Sequence, residues 1–157
     1  MLTADDRLDM IDAIARYNNA SDTRSVEDFL AEFTDDAWFT GGEGIVDGTS
    51  GVSTTFSFTV GGKESTRGGK VGLRAVLPAM FTHQGTHKRH LATNYAFRSL
   101  PDGRAEVDYV LFVLEAEAAP AVGATAWVTN RFQRDGGRWL VEEHALFIDR
   151  SLLASAH

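Results

Sequence analysis

KRHLATNYAFRSLPDGRAEVDYVLFVLEAE, residues 88–117, decides the fold. Apolar and polar residues alternate through it with period two, the spacing of a strand whose successive side chains face opposite sides of a sheet. The alternation breaks at Asp102-Gly103, a pair that tolerates the positive φ of a tight hairpin turn. The same pattern resumes further on, so strands are expected over 88–99, 104–117, 124–134 and 138–149, with a second turn at Asp135-Gly136-Gly137. Four long strands joined in this way form an antiparallel meander.

Upstream of the meander the period changes. Thr3 is placed as a helix N-cap with Asp6 in the capping-box position. At 100° per residue, Leu8, Met10, Ile11, Ile14, Ala15 and Tyr17 fall on one half of this helix and Asp5, Asp9, Asp12 and Arg16 on the other. Asn18 to Asp22 should end it. A second, shorter helix opens at Ser25, with Val26, Phe29, Leu30 and Phe33 as its stripe. Ala37–Thr40 reads as a short strand turning at Gly41-Gly42 and returning through Gly44–Gly48. Residues 52–60, VSTTFSFTV, alternate cleanly and form an extra strand whose Ser/Thr face suits solvent or a sheet edge, with connections at Gly61-Gly62 and Arg67-Gly68-Gly69. Leu73, Val76, Leu77, Met80 and Phe81 mark a third helix over 71–82, kinked at Pro78 and ended by Gly85. The expected class is therefore α+β: three helices gathered on one face of a curved antiparallel sheet, a cone with an interior pocket.

The 157 residues, 43% apolar and 24% charged, suit one domain with a single core. A net charge of −7 with scattered basic residues argues against nucleic acid as a partner. The absence of cysteine removes disulfides, thiolate nucleophiles and sulfur-bound zinc. The acidic N-terminus and the lack of a long apolar run give no signal peptide or membrane helix, so a cytoplasmic protein without a membrane partner is expected. Serine-elbow, phosphate-loop and dinucleotide fingerprints are absent, Arg67 to Lys70 is too generic for a phosphate cradle, and Glu106 and Asp108 belong on the outside of their strand.

Three groups of residues could carry chemistry. Tyr17, at the edge of the first helix's apolar half, could point a phenol inward, with Asp22 just beyond the helix end; the plainer alternative is a core tyrosine and a capping aspartate. His83, His87 and His90 lie within eight residues, but Gly85 should break any helix between the first two, which weakens a metal reading. Strand alternation groups His90, Ala92, Asn94 and Ala96 against Leu91, Thr93, Tyr95 and Phe97, and period two does not say which face is concave. His144 alternates with Glu142, Leu146 and Ile148 and is subject to the same ambiguity.

Taken in order, Tyr17…Asp22, Asp36-Ala-Trp-Phe39, Lys88-Arg-His-Leu-Ala-Thr-Asn94 and Gly137-Arg-Trp-Leu-Val-Glu-Glu-His144 resemble the SnoaL-like polyketide cyclase and dehydratase family, within the superfamily named for nuclear transport factor two. The resemblance spans nearly the whole chain. It implies one SnoaL-like domain over 1–157, a cystatin-like α+β barrel with a deep apolar pocket, and a homodimer through the outer face of the sheet. Members of the family include cofactor-independent dehydratases, isomerases and cyclases of hydrophobic metabolites, and also non-catalytic binding or scaffold domains. Carried over by position, Asp22 matches the family's pocket aspartate, Tyr17 its dehydratase tyrosine and His90 its strand histidine. These three are the expected catalytic residues, with Trp38, Met80, Asn94 and His144 as substrate contacts and no cofactor. The expected ligand is a small hydrophobic, carbonyl-bearing metabolite. The 52–60 strand departs from the family's compact connection and could serve as a lid or an oligomer contact.

Overall fold

The structure, a computed structural model, describes residues 1–47, 51–60, 69–83, 87–116 and 120–149. Its elements run α1 (Ala4–Thr23), α2 (Val26–Leu30), β1 (Phe33–Asp47), β2 (Gly51–Val60), α3 (Gly69–His83), β3 (Lys88–Ser99), β4 (Arg104–Glu115), β5 (Ala121–Asp135) and β6 (Arg138–Asp149). Both expected turns form, with positive φ at Asp102 and Gly103 and at Gly136 and Gly137. The strands make one sheet in the order β2-β1-β6-β5-β4-β3. Four of the five pairings are antiparallel, and the fifth, β1 on β6, is parallel. No hairpin joins those two strands, which come from opposite ends of the chain, so nothing constrains them to run in opposite directions.

The capping box at Thr3 is complete: its hydroxyl accepts from the Asp6 backbone N–H, and its own N–H donates to Asp6 Oδ2 at 2.9 Å. The Trp139 indole donates to the other carboxylate oxygen at 3.0 Å, so Asp6 also pins α1 to β6. Thr3 first, and then Trp139, hold the Asp6 carboxyl down to about 2. Where α1 was expected to bury Leu8 and Ala15, both are exposed; the inward face is Met10, Ala13, Ile14, Tyr17, Asn18 and Ser21, a stripe with i, i+3, i+4 spacing. The helix does not stop at Asn18. It continues to Thr23 and closes on Arg24 in the left-handed conformation, whose N–H donates back to the carbonyls of Ala20 and Ser21.

Phe33 belongs to β1 rather than to the second helix, and β1 passes straight through Gly41, Gly42 and Gly44 without the expected turn. Pairing with β6 on one side and β2 on the other outweighs the turn preference of the glycines. The extra strand is present as β2, at the sheet edge. The orientation of its Ser/Thr face, the connections at Gly61-Gly62 and Arg67-Gly68 and the stop at Gly85 lie outside the described residues. Pro78 is accommodated inside α3.

Bulges reset the faces of β3 and β6. In β3, Asn94 and Tyr95 stand opposite Tyr109 alone, with Asn94 at φ 57°, a conformation asparagine tolerates better than most residues. Ala92 therefore faces the core before the bulge, and Tyr95 and Phe97 face it afterwards. In β6, Glu142 is the extra residue, which puts Trp139 and Val141 on the same inner face as His144. The core joins α1, α2 and α3 to this inner face through Met10, Ile14, Phe29, Phe33, Leu73, Leu77, Val107 and Phe132. A fully buried side chain of this size contributes roughly 1.5–3 kcal/mol. No described helix is long and apolar enough to cross a membrane.

Candidate active site

Between the helices and the inner face of the sheet lies a cavity of about 520 Å³, within the size range that takes a small organic molecule. Its walls are mainly Phe29, Phe39, Leu77, Phe81, Leu111, Leu146 and Ile148, with Tyr17, Met80, His90 and His144 among them.

The extra turn of α1 sets the first polar group. It carries Asp22 into the last helical turn, where the helix dipole disfavours a carboxylate. The start of β3 supplies two compensating donors: the His90 backbone N–H reaches Asp22 Oδ2 at 3.2 Å, and the ring Nδ1 meets Oδ1 at 2.6 Å. Both side chains are under a tenth exposed. Because the carboxylate accepts, Nδ1 carries the proton, and Nε2, at the other edge of the ring, presents a lone pair to the cavity that His90 lines.

The second group comes from β5 and β6. Asn130 and His144 are cross-strand partners, with His144 Nδ1 2.8 Å from Asn130 Oδ1. Asn130 Nδ2 donates to the Tyr17 hydroxyl at 2.9 Å, and that hydroxyl is also bonded to Tyr109. Burial pushes the Tyr17 and Tyr109 phenols well above their ordinary range. Burial also pulls His144 down to about 3, helped by the nearby His90, so this imidazole is uncharged near neutrality. Asn130 takes one lone pair of the Tyr17 hydroxyl; in the bond between the two phenols either oxygen can donate, and with Tyr109 as donor the Tyr17 proton is left for the cavity that Tyr17 lines.

Of the seven residues singled out from sequence, the structure places Tyr17, Met80, His90 and His144 on the cavity wall and Asp22 directly behind His90. Trp38 and Asn94 lie elsewhere. Trp38 alternates with Phe39, and it is Phe39 that faces inward; Trp38 borders a groove on the other side, with Arg104 and Glu142. Asn94 sits exposed at the β3 bulge. Sequence reasoning missed Asn130 and Tyr109. Their signal was a polar atom at an inward position between apolar ones, as in Val128, Asn130, Phe132. Among the described residues, no group of three or more His, Asp or Glu is arranged to hold a metal ion.

A family model described as "SnoaL-like domain" matches residues 2–144. No curated protein matches the chain. Among solved structures, a cystatin-like protein of unknown function from Nostoc punctiforme is 25% identical, with a TM-score of 0.73 and 96% of each chain covered. ActVI-ORFA from Streptomyces coelicolor is 18% identical (TM-score 0.65), covering 90% of this chain and 96% of its own. An NTF2-like protein with a cystatin-like fold from Novosphingobium aromaticivorans is 14% identical (TM-score 0.64), covering 97% of this chain and 88% of its own. The two more distant likenesses carry the fold alone.

Proposed function

Because the chain belongs to the SnoaL-like family, we propose that it is a cofactor-independent acid–base enzyme of the dehydratase, isomerase or cyclase type. Its substrate would be a small hydrophobic carbonyl compound, polyketide- or steroid-like in character. The observation that supports this reading most is the Asp22–His90 pair, backed onto an apolar cavity with Nε2 turned inward. His90 abstracts a proton from the carbon next to the substrate carbonyl. Asp22 holds the ring in the tautomer that leaves Nε2 free and offsets the charge of the imidazolium that forms. Tyr17 donates its hydroxyl proton to the developing enolate oxygen, with Tyr109 acting as donor in the bond between the two phenols and Asn130 donating to the Tyr17 oxygen. Met80 and the phenylalanines exclude water around the intermediate.

The protein would act in the cytoplasm as a homodimer joined through the outer face of the sheet, where Leu91 and Trp127 are about half exposed. Neighbouring aromatic residues do not add to this surface. The β3 bulge turns Tyr95 and Phe97 inward, and Trp139 is buried on Asp6.

The test is exchange of α-protons for deuterium in bicyclic aromatic ketones such as 1-tetralone, followed by NMR in D₂O. Wild-type protein should accelerate exchange, and His90→Gln should lose at least about 10²-fold of that acceleration. Asp22→Asn should lower the rate more than it weakens binding. Variants that bind the ketones differently while exchange stays at the uncatalysed rate throughout would instead make the pocket a non-catalytic binding site.

A further inference from the structure

The cavity has a second polar group, His144, that proton abstraction does not use. Asn130 is fully buried on the inner face of β5, in register with His144. Its amide nitrogen is committed to the Tyr17 hydroxyl, so the oxygen is the atom turned to His144. A carbonyl oxygen only accepts. Nδ1 of His144 therefore carries the ring proton, and Nε2 carries a lone pair. Nε2 has no hydrogen-bond partner among the described residues, yet no buried side-chain nitrogen or oxygen among them is left unsatisfied, so Nε2 opens onto the cavity that the ring lines. The ring's low proton affinity agrees with this, since an uncharged imidazole with its N–H engaged on the far side can only accept. Around it stand Tyr17, Phe39, Leu146 and Ile148; of these only the Tyr17 hydroxyl carries a donor, and that hydroxyl is already bonded to Asn130 and Tyr109.

We propose that His144 Nε2 is the acceptor for a ligand hydroxyl, so that the pocket selects an apolar ring compound carrying a free O–H in addition to its carbonyl. This deepens the reading of the cavity as a small-metabolite site and rests on it. A ligand that fills the cavity without an O–H would bury Nε2 unpaired, which penalises it relative to one that satisfies the lone pair. Asn130 acts as a positioning residue here, because its amide orientation decides which nitrogen of His144 carries the proton and so leaves Nε2 an acceptor.

The probes are 2-naphthol and its methyl ether, 2-methoxynaphthalene, which keeps the rings and lacks the donor. Calorimetric titration of the wild-type protein should give 2-naphthol a preference of about tenfold, which His144→Phe abolishes. Loss of a partner for the buried Asn130 oxygen could destabilise that variant, so a second measurement uses wild-type protein. In histidine-ring ¹⁵N NMR, His144 should show an unprotonated Nε2 whose resonance moves towards the protonated range with 2-naphthol and not with the ether. Equal affinities, no binding of 2-naphthol, an Nε2–H tautomer, or a preference that survives in His144→Phe would overturn the proposal. Neither measurement involves turnover. Probe selection through His144 without any α-proton exchange would sink the catalytic reading alone; His90-dependent exchange without probe selection would sink this one alone.

Discussion

Acidification should destabilise this protein in a way that depends on a single side chain. His144 is buried, and its proton affinity is lowered from an ordinary 6.5 to about 3. The folded value lies below the unfolded one, so between the two the unfolded chain takes up a proton that the folded chain refuses. Stability from this group is therefore complete above about pH 6.5 and falls as the pH drops towards 3. Each pH unit inside that window removes up to about 1.4 kcal/mol, so going from pH 7 to pH 5 should remove about 2 kcal/mol. Most carboxylates remain ionised over that range, and the other histidines are common to both proteins, so comparison with a His144 variant isolates this group. The assay is urea unfolding followed by tryptophan fluorescence at both pH values, for wild type and His144→Phe. The variant starts less stable, because the Asn130 oxygen loses its donor, but its loss between the two pH values should be smaller by about 2 kcal/mol. Equal losses in the two proteins would refute the claim that His144 is held uncharged by burial.

Three further outcomes follow from the same geometry. Tyr17→Phe removes the hydroxyl to which both Asn130 and Tyr109 are bonded and should cost about 1–3 kcal/mol in urea unfolding, while also slowing any α-proton exchange. Gly69→Ala should be among the most damaging small substitutions: a Cβ there would lie 1.9 Å from the Asp35 carbonyl oxygen, at a φ of +64°. The variant should melt several degrees lower by circular dichroism, and an unchanged melting temperature would contradict the packing of α3 on β1. Trp127→Arg on the outer sheet face should convert a dimer to monomer in light scattering at micromolar concentration without lowering the melting temperature of the monomer fold. A wild-type protein that is already monomeric would remove the dimer proposal.

Much of the architecture was legible because it is written locally. The Thr3/Asp6 box, the Asp102-Gly103 turn and the boundaries of β3 and β6 depend on neighbours in the chain, and they appear where period and capping chemistry place them. Long-range pairing decides the remainder. Gly41 and Gly42 carry turn chemistry but lie in a strand held on both sides, and the parallel β1–β6 contact joins segments about a hundred residues apart. A single extra residue at Asn94 reverses the faces of β3, which is why Asn94 drops out of the site and Tyr95 turns inward. His90 lies before that bulge and keeps its expected face. The Tyr17–Asn130–His144 chain joins α1, β5 and β6, and no spacing within any one of these elements reveals it.

Catalysis by His90 depends on where a ketone sits relative to its ring. A crystal structure of the protein with 1-tetralone should show His90 Nδ1 on Asp22 and the ketone's α-carbon about 3–3.5 Å from Nε2, within the cavity bounded by Phe39 and Leu146. A His90 ring turned to solvent, or a cavity closed by its own side chains with the ketone bound elsewhere, would contradict it.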